Sequence, residues 1–325
     1  MSGRQSGVAL LTVLLLVAVM SVLLVSLLDD IRFGVRRAGN AQAQSQAQWY
    51  ALGAESLALS RLHALGARDR QRTTLEGGWN DRPFVFPIED GVIRARISDQ
   101  SACFNLNSVV EGAEEQLHRR DTGARQFVAL ARGAGLAPQR AAELADALAD
   151  WIDSDQAPGP VGAEDSHYLR LRKPYRTSGT LLAEVSELRA IRGFDEATYR
   201  LLRPHLCALP SPELSPINVN TLGRDDAIVL VMISEGRLGM AAARSVIERR
   251  PADGWRDFAT FWASPSLAGL SPGNDTLQQL SLRTRYFGMH AEVRYLDADV
   301  VLNTLFEMDA AGEVTALARR WTPDP

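Results

Sequence analysis

Residues 8–28 read VALLTVLLLVAVMSVLLVSLL; 18 of the 21 are apolar and none is charged. At about 1.5 Å per helical residue the run measures about 31 Å, enough to cross the hydrocarbon core of a bilayer. It follows a seven-residue leader, MSGRQSG, with one basic residue, Arg4, and a final Gly7. A secretory signal has a shorter apolar stretch with a small-residue cleavage site after it. Here Leu27-Leu28-Asp29-Asp30 passes straight into polar sequence, and the small residue comes before the run instead. Taken alone, the segment reads as an uncleaved signal anchor.

The helix is expected to outlast the bilayer. There is no proline from Asp29 to about Leu65, and small and polar residues alternate before a later apolar stripe. Trp49, Leu52, Leu57, Leu59 and Leu62 are expected to face a folded head, giving one long helix half in lipid and half against protein. The flanking charges speak weakly about orientation. Arg4 lies on one side; Arg32, Arg36 and Arg37 lie on the other with Asp29 and Asp30. By the positive-inside rule alone this mildly favours the body on the cytoplasmic side.

The rest of the chain is a soluble body. The whole chain's 325 residues suggest about two domains, and its hydrophobic fraction of 46% leaves enough apolar residues outside the run for a packed core. Disordered, collagen-like and many-pass membrane classes are excluded. The net charge of −4 argues against a general nucleic-acid binder. Cys103 and Cys207 are too few for a disulfide scaffold and lack metal-ligand spacing. In a body outside the cytoplasm they suit a single bridge.

Strand patterns sit at both ends of this body. Pro83–Ile88, the turn Glu89-Asp90-Gly91 and Val92–Ile97 predict a hairpin. Tyr286–Tyr295, Val300–Met308 and Val314–Trp321 predict three more strands. Between them, about 105–282 is helix-rich and carries an internal echo. Phe104-Asn105-Leu106-Asn107-Ser108-Val109 returns as Ile217-Asn218-Val219-Asn220-Thr221-Leu222, with Asn and Ser/Thr as helix-capping candidates. Each copy is followed by a helix, a glycine-bearing turn and a second helix, the outline of a helix-hairpin-helix unit. In DNA-binding units of that kind the hairpin amides hold phosphate, so a membrane-tethered DNA receptor is one alternative. The acids Glu143, Asp146 and Asp150 on the first unit would repel a phosphate backbone; Arg244, Arg249 and Arg250 on the second leave that unit open. A signal-anchored binding protein is another alternative.

The densest chemistry lies at 141–165, AAELADALADWIDSDQAPGPVGAED, with seven carboxylates and no basic residue. Asp146, Asp150 and Asp153 fall at i, i+4 and i+7 of one helical face, where like charges repel unless a cation joins them. Asp153, Asp155 and Glu164 stand at positions 1, 3 and 12 of a calcium loop, but Ala157 and Pro158 occupy positions 5 and 6, so this is no EF-hand. Carboxylates without a His or Cys cage select a hard cation, calcium over zinc. A solvated acidic loop balanced by Arg170, Arg172, Lys173 and Arg176 is the competing reading. No G-x-S-x-G, Gly-Lys-Ser/Thr, H-E-x-x-H or G-x-G-x-x-G signature occurs, and the five histidines are scattered. No catalysis is expected. Cys103 and Cys207, near the two Asn motifs, are expected to form a bridge; two free buried thiols are the alternative.

Taken together, the leader ending in Gly7, Val8-Ala9-Leu10-Leu11, QWYALGAESLA (48–58), CFNLNSV (103–109), DWIDSD (150–155), GAEDSHY (162–168), SELRAIRGF (186–194), ALP (208–210) and INVNTL (217–222) resemble the large minor pseudopilin of bacterial type II secretion, the general secretion pathway protein K family. The resemblance spans nearly the whole chain. It implies an α+β pilin-like fold, with a long N-terminal transmembrane helix on an antiparallel sheet and a large inserted α-domain. The expected division is leader 1–7, membrane helix 8–28, pilin-like domain 29–103 and 285–325, and α-domain 104–284. It implies cleavage after Gly7 by a prepilin peptidase and methylation of the new terminus at Val8. It also implies an inner-membrane anchor with a periplasmic body, and a tip complex with the I and J components that primes assembly of the major pseudopilin. Calcium binding in the α-domain is implied as well; it is carried onto Asp153, Asp155, Glu164, Asp165 and Asp150. No nucleic-acid partner is expected. Most pilin-like proteins have glutamate at mature position five, whereas this chain has Thr12. A carboxylate inside lipid costs on the order of 3 kcal/mol without a partner. A subunit with no neighbour above it lacks that partner, and a threonine hydroxyl is satisfied within its own helix.

Overall fold

The computed structural model describes residues 5–113 and 116–322; leader residues 1–4 lie outside the described residues. Helix α1 spans Gln5–Arg68 without a break, so Gly7 and Val8 fall in its first turns. From Ala9 to Gln42 every residue is exposed, and from Ala43 onward one face is buried. That buried face differs from the expected stripe. Trp49 is 66% exposed, and Leu52, Leu57 and Leu59 are only half-buried. The seam consists of Ala43, Ala47, Ala51, Ala54, Ala58 and Leu62, at spacings of three and four. Small side chains let the helix axis approach the sheet closely, and the larger residues flank the contact.

The sheet begins with β1 (Phe84–Ile88) and β2 (Gly91–Asp99), joined as expected by a tight turn with Asp90 at φ 57°. A Cβ on Gly91 would lie 2.2 Å from the carbonyl oxygen of Arg294, so glycine is required at that rung. The chain then enters the helical body through β3 (Phe104–Asn105), β4 (Val110–Ala113) and β5 (Gln116–Arg119). The helices are α2 (Asp121–Gly133), α3 (Pro138–Ile152), the short α4 (Asp165–Tyr168) and α5 (Glu196–Leu202). After β6 (Leu206–Cys207) and β7 (Ile217–Asn218) come α6 (Ala227–Ile233), α7 (Met240–Glu248), α8 (Phe258–Trp262) and α9 (Asn274–Gln279). Strand β8 (Leu280–Ser281) leads back to β9 (Tyr286–Tyr295), β10 (Ala298–Met308) and β11 (Val314–Arg320). The main sheet has the order β1-β2-β9-β10-β11 and is antiparallel throughout.

Two large cores result. One lies between α1 and the sheet and holds the alanine seam with Ile93, Ile97, Phe287, Leu302 and Phe306; the other fills the helical body around Phe104, Phe127, Leu144, Leu148 and Met232. This is an α+β fold, an antiparallel sheet on a long helix with a helical domain carried between β2 and β9. The repeated Asn motifs turn out to be loop staples more than helix caps. Asn105 donates to the carbonyls of Ser211 and Glu213 and accepts from the Asn107 amide; Asn107 bonds both the carbonyl and the amide of Leu182. In the second copy Asn218 donates to the carbonyl of Thr73, and Asn220 both donates to and accepts from the Trp255 backbone. Buried amide groups so placed satisfy loop backbone that would otherwise lie unpaired.

Candidate functional site

Helix α3 and the loop after it bring together Asp150, Asp153 and Glu164, all three buried, with one carboxylate oxygen of each within 4.8 Å of the others. Asp150 sits in the last turn of α3 and accepts two bonds from the Gly159 amide, at 3.0 and 3.1 Å. Asp153 ends the helix as its C-cap, and Glu164 stands at the N-cap of α4. The loop closes tightly over Asp150, since a Cβ on Gly162 would lie 1.9 Å from its Oδ2. A cleft of about 400 Å³, lined in part by Asp153, Ser154, Gln156 and Asp165, touches the group at Asp153.

The site is electrostatically incomplete. Oδ1 of Asp153 and both carboxylate oxygens of Glu164 are buried without a hydrogen-bond partner. Burial first, and then the charges of Asp155 and Asp150, push the Asp153 carboxyl up to about 7. Burial and the charges of Asp153, Asp150, Asp155 and Asp165 push Glu164 up to about 8. Asp150 is raised as well, mainly by burial. Buried carboxylates are normally paired or bound to metal. Calcium–oxygen bonds of about 2.4 Å place two ligands of one ion up to about 5 Å apart, and the three oxygens here meet that limit. With only oxygen donors, the group suits a hard cation better than zinc.

The other expected ligands are engaged elsewhere. Asp165 accepts from the Thr177 amide at 2.9 Å and pairs with Arg176 at 2.9 Å, which holds its carboxyl below the usual range. Asp155 is exposed and accepts from the Ala157 amide at 2.7 Å, a local turn. Asp146, on the same helical face, is neutralised by Arg119 at 2.6 Å and bonded by the Val161 amide. Arg119 lies 27 residues before Asp146 on β5, so spacing within the acidic run gave no sign of it. Among the expected balancing bases, Arg176 reaches the acidic run, but through Asp165 and not through the buried three.

Two further predicted sites have defined geometry. Thr12 Oγ1 donates to the Ala9 carbonyl at 2.9 Å, so its hydroxyl is satisfied within α1. The Cys103 and Cys207 sulfurs lie 1.98 Å apart with Cα atoms 5.8 Å apart, and they pack with Leu209 and Tyr286 between the helical body and the sheet. Sequence reading missed one constellation. Glu55, buried on α1, takes both oxygens to Arg319 of β11, at 2.8 to 3.0 Å, and accepts from Thr304 Oγ1 of β10 at 2.8 Å. Burial works to raise its pKa, but these three-way contacts outweigh it and leave the carboxyl low. A lone acid inside an alanine seam was the available signal.

The helical body matches two family models described as "Type II secretion system (T2SS), protein K", over residues 102–211 and 217–283. The chain belongs to the type II secretion system protein K family. It is 34% identical to the type II secretion system protein K of Pectobacterium carotovorum subsp. carotovorum, over 95% of this chain and 94% of that protein. It is 37% identical to the Klebsiella pneumoniae protein K over 82% of each chain. The structure superposes on a chain from the crystal structure of the GspK-GspI-GspJ complex of the enterotoxigenic Escherichia coli type 2 secretion system. The TM-score is 0.77 at 30% identity, covering 88% of this chain and 99% of that one. Protein K chains are minor pseudopilins, and the pilin-like fold with its inserted α-domain is that of the family. The DNA-receptor and binding-protein alternatives find no support in these likenesses.

Proposed function

We propose that this minor pseudopilin caps the pseudopilus tip with the I and J components and helps start assembly of the major pseudopilin for export of folded proteins. The carrying observation is the likeness, over nearly all of the solved chain, to a GspK held in a complex with GspI and GspJ. The exposed apolar half of α1 supports the packing mechanism: helices that leave lipid must bury their surface against one another. The helical domain is bulky beside the sheet, which suits the end of a fibre better than its shaft. In this reading the body occupies the periplasm and the helix is a single-pass inner-membrane anchor. Prepilin peptidase cleaves after Gly7 and Val8 becomes the methylated terminus. The domain division is 8–28, 29–103 with 285–325, and 104–284. The Cys103–Cys207 bridge forms in the oxidising compartment. The protein performs no catalysis.

Calcium is the cation proposed for Asp150, Asp153 and Glu164, with Asp155 and Asp165 in the surrounding shell. Bound there, it would supply positive charge that ties the loop to the end of α3. The residues themselves fix that geometry through the Gly159 amide and the close pass of Gly162. The test of processing is co-expression with prepilin peptidase followed by intact mass. The expected product lacks the first seven residues and carries one added methyl; an unprocessed chain would favour the signal-anchor reading.

A further inference from the structure

The charges just past the apolar run are the part of α1 that pseudopilin assembly leaves unexplained. Residues 29–37 read DDIRFGVRR, and every one is exposed. Asp29 pairs loosely with Arg32 at 3.9 Å; among the described residues Arg36 and Arg37 make no ion pair. With the body on the non-cytoplasmic side, these arginines run against the usual loop-charge bias, and any counter-charge for Arg36 and Arg37 comes from outside the chain.

Their depth selects it. The headgroup layer extends about 5–7 Å beyond the hydrocarbon on each side. Counting from Leu28 at about 1.5 Å per residue, Arg32 lies about 6 Å out and Arg36 about 12 Å out. Side chains on a helix slant toward its N-terminus, which here is toward the membrane, so long arginine stems reach back into the phosphate layer. Arg32 and Arg36 are i, i+4 neighbours with Arg37 adjacent, while Phe33, 70% exposed, sits at interfacial depth. The three arginines outnumber Asp29 and Asp30. A guanidinium fork also matches phosphate oxygens in a bidentate manner that a point charge does not.

We propose that Arg32, Arg36 and Arg37 form a collar that binds the phosphates of anionic lipid headgroups, with Phe33 seated beside them in the interface. The proposal rests on the membrane-anchor reading of α1. Its test uses the full chain reconstituted in phosphatidylcholine vesicles with trace spin-labelled phosphatidylglycerol or phosphatidylcholine, reading which lipid is enriched in the motionally restricted shell. The expected preference for phosphatidylglycerol is on the order of 5-fold, the worth of about one surface arginine. Arg36→Gln with Arg37→Gln brings it toward one, whereas Asp29→Asn with Asp30→Asn raises it. Salt at about 1 M collapses it, because the screening length falls to about 3 Å. A parent ratio of one, or a ratio the arginine variants leave unchanged, overturns the collar. Loss of binding to the I and J components in those variants, at an unchanged lipid ratio, overturns it in favour of protein carboxylates. Absence of a restricted shell with either lipid removes the anchor reading itself, and the collar with it.

Discussion

Two buried carboxylate sites in this molecule have opposite electrostatics. On α1, Glu55 is compensated from within: Arg319 and Thr304 bond both of its oxygens, and its pKa stays low despite burial. At the end of α3, Asp153 and Glu164 are buried with unpartnered oxygens beside Asp150, and their carboxyls rise to about 7 and about 8. The helix–sheet junction is therefore complete with the chain's own groups. The loop junction of the α-domain lacks a positive charge that the chain does not provide. The proposed cation would supply that charge from outside the chain.

The largest way to break this contrast is to vary calcium and pH together. Both cluster acids have folded pKa values above the unfolded range, so the calcium-free native state holds protons that the unfolded chain releases. The contribution of these two groups to its stability is therefore fullest below about pH 4 and falls as pH rises toward about 8. Calcium displaces those protons. At a free concentration about a thousandfold above its Kd it should add about 4 kcal/mol, with a larger rise in Tm at high pH than at low. Thermal melts in calcium and in chelator check this, and Asp153→Ala or Glu164→Ala should abolish both the gain and the calorimetric heat of calcium binding. Equal melts with and without calcium would remove the cation from the account.

Breaking the compensated site comes next. Arg319→Ala leaves Glu55 buried and charged, and should cost about 3 kcal/mol, at the low end for buried pairs because Arg319 is half-exposed. Adding Glu55→Gln to it should recover part of that loss in denaturant titration. A smaller effect tests the seam itself. Ala51→Leu inserts a branched side chain where helix and sheet meet at 0% exposure, and should cost about 2 kcal/mol by overpacking. Trp49→Leu, on the exposed face, should leave the monomer's melt unmoved. The smallest expected change sharpens the ligand set: Asp155→Asn should alter stability in calcium by about 0.5 kcal/mol or less, since its carboxylate serves a surface turn. A loss of calcium heat in that variant would return Asp155 to the inner ligands.

What the sequence revealed follows the same division. Local signals were legible: the Asp90-Gly91 turn, the alternation of β9 to β11, and the unbroken helix through Leu65 all lie in neighbouring residues. The α1 seam was not, because alanines carry little hydropathy contrast and the eye follows Trp49 and the leucines. Burial on α1 was decided by how closely the backbone must approach the sheet. In the acidic run, helical spacing picked out Asp146, Asp150 and Asp153 as one face. Which of them lacked compensation depended on Arg119 from β5 and on the Gly159 and Gly162 backbone, which only tertiary folding brings near. Calcium-loop spacing said nothing of the Ala157 turn that Asp155 serves, and although Arg176 stood among the expected balancing bases, only folding brings it and Thr177 to Asp165.

The central claim is that this subunit sits at the end of the fibre with nothing stacked beyond it. Its most direct test is the position of the subunit in purified pseudopili, read by electron microscopy with a label on the α-domain. The account predicts one copy at a single end of each fibre. Label repeated along the shaft would contradict it.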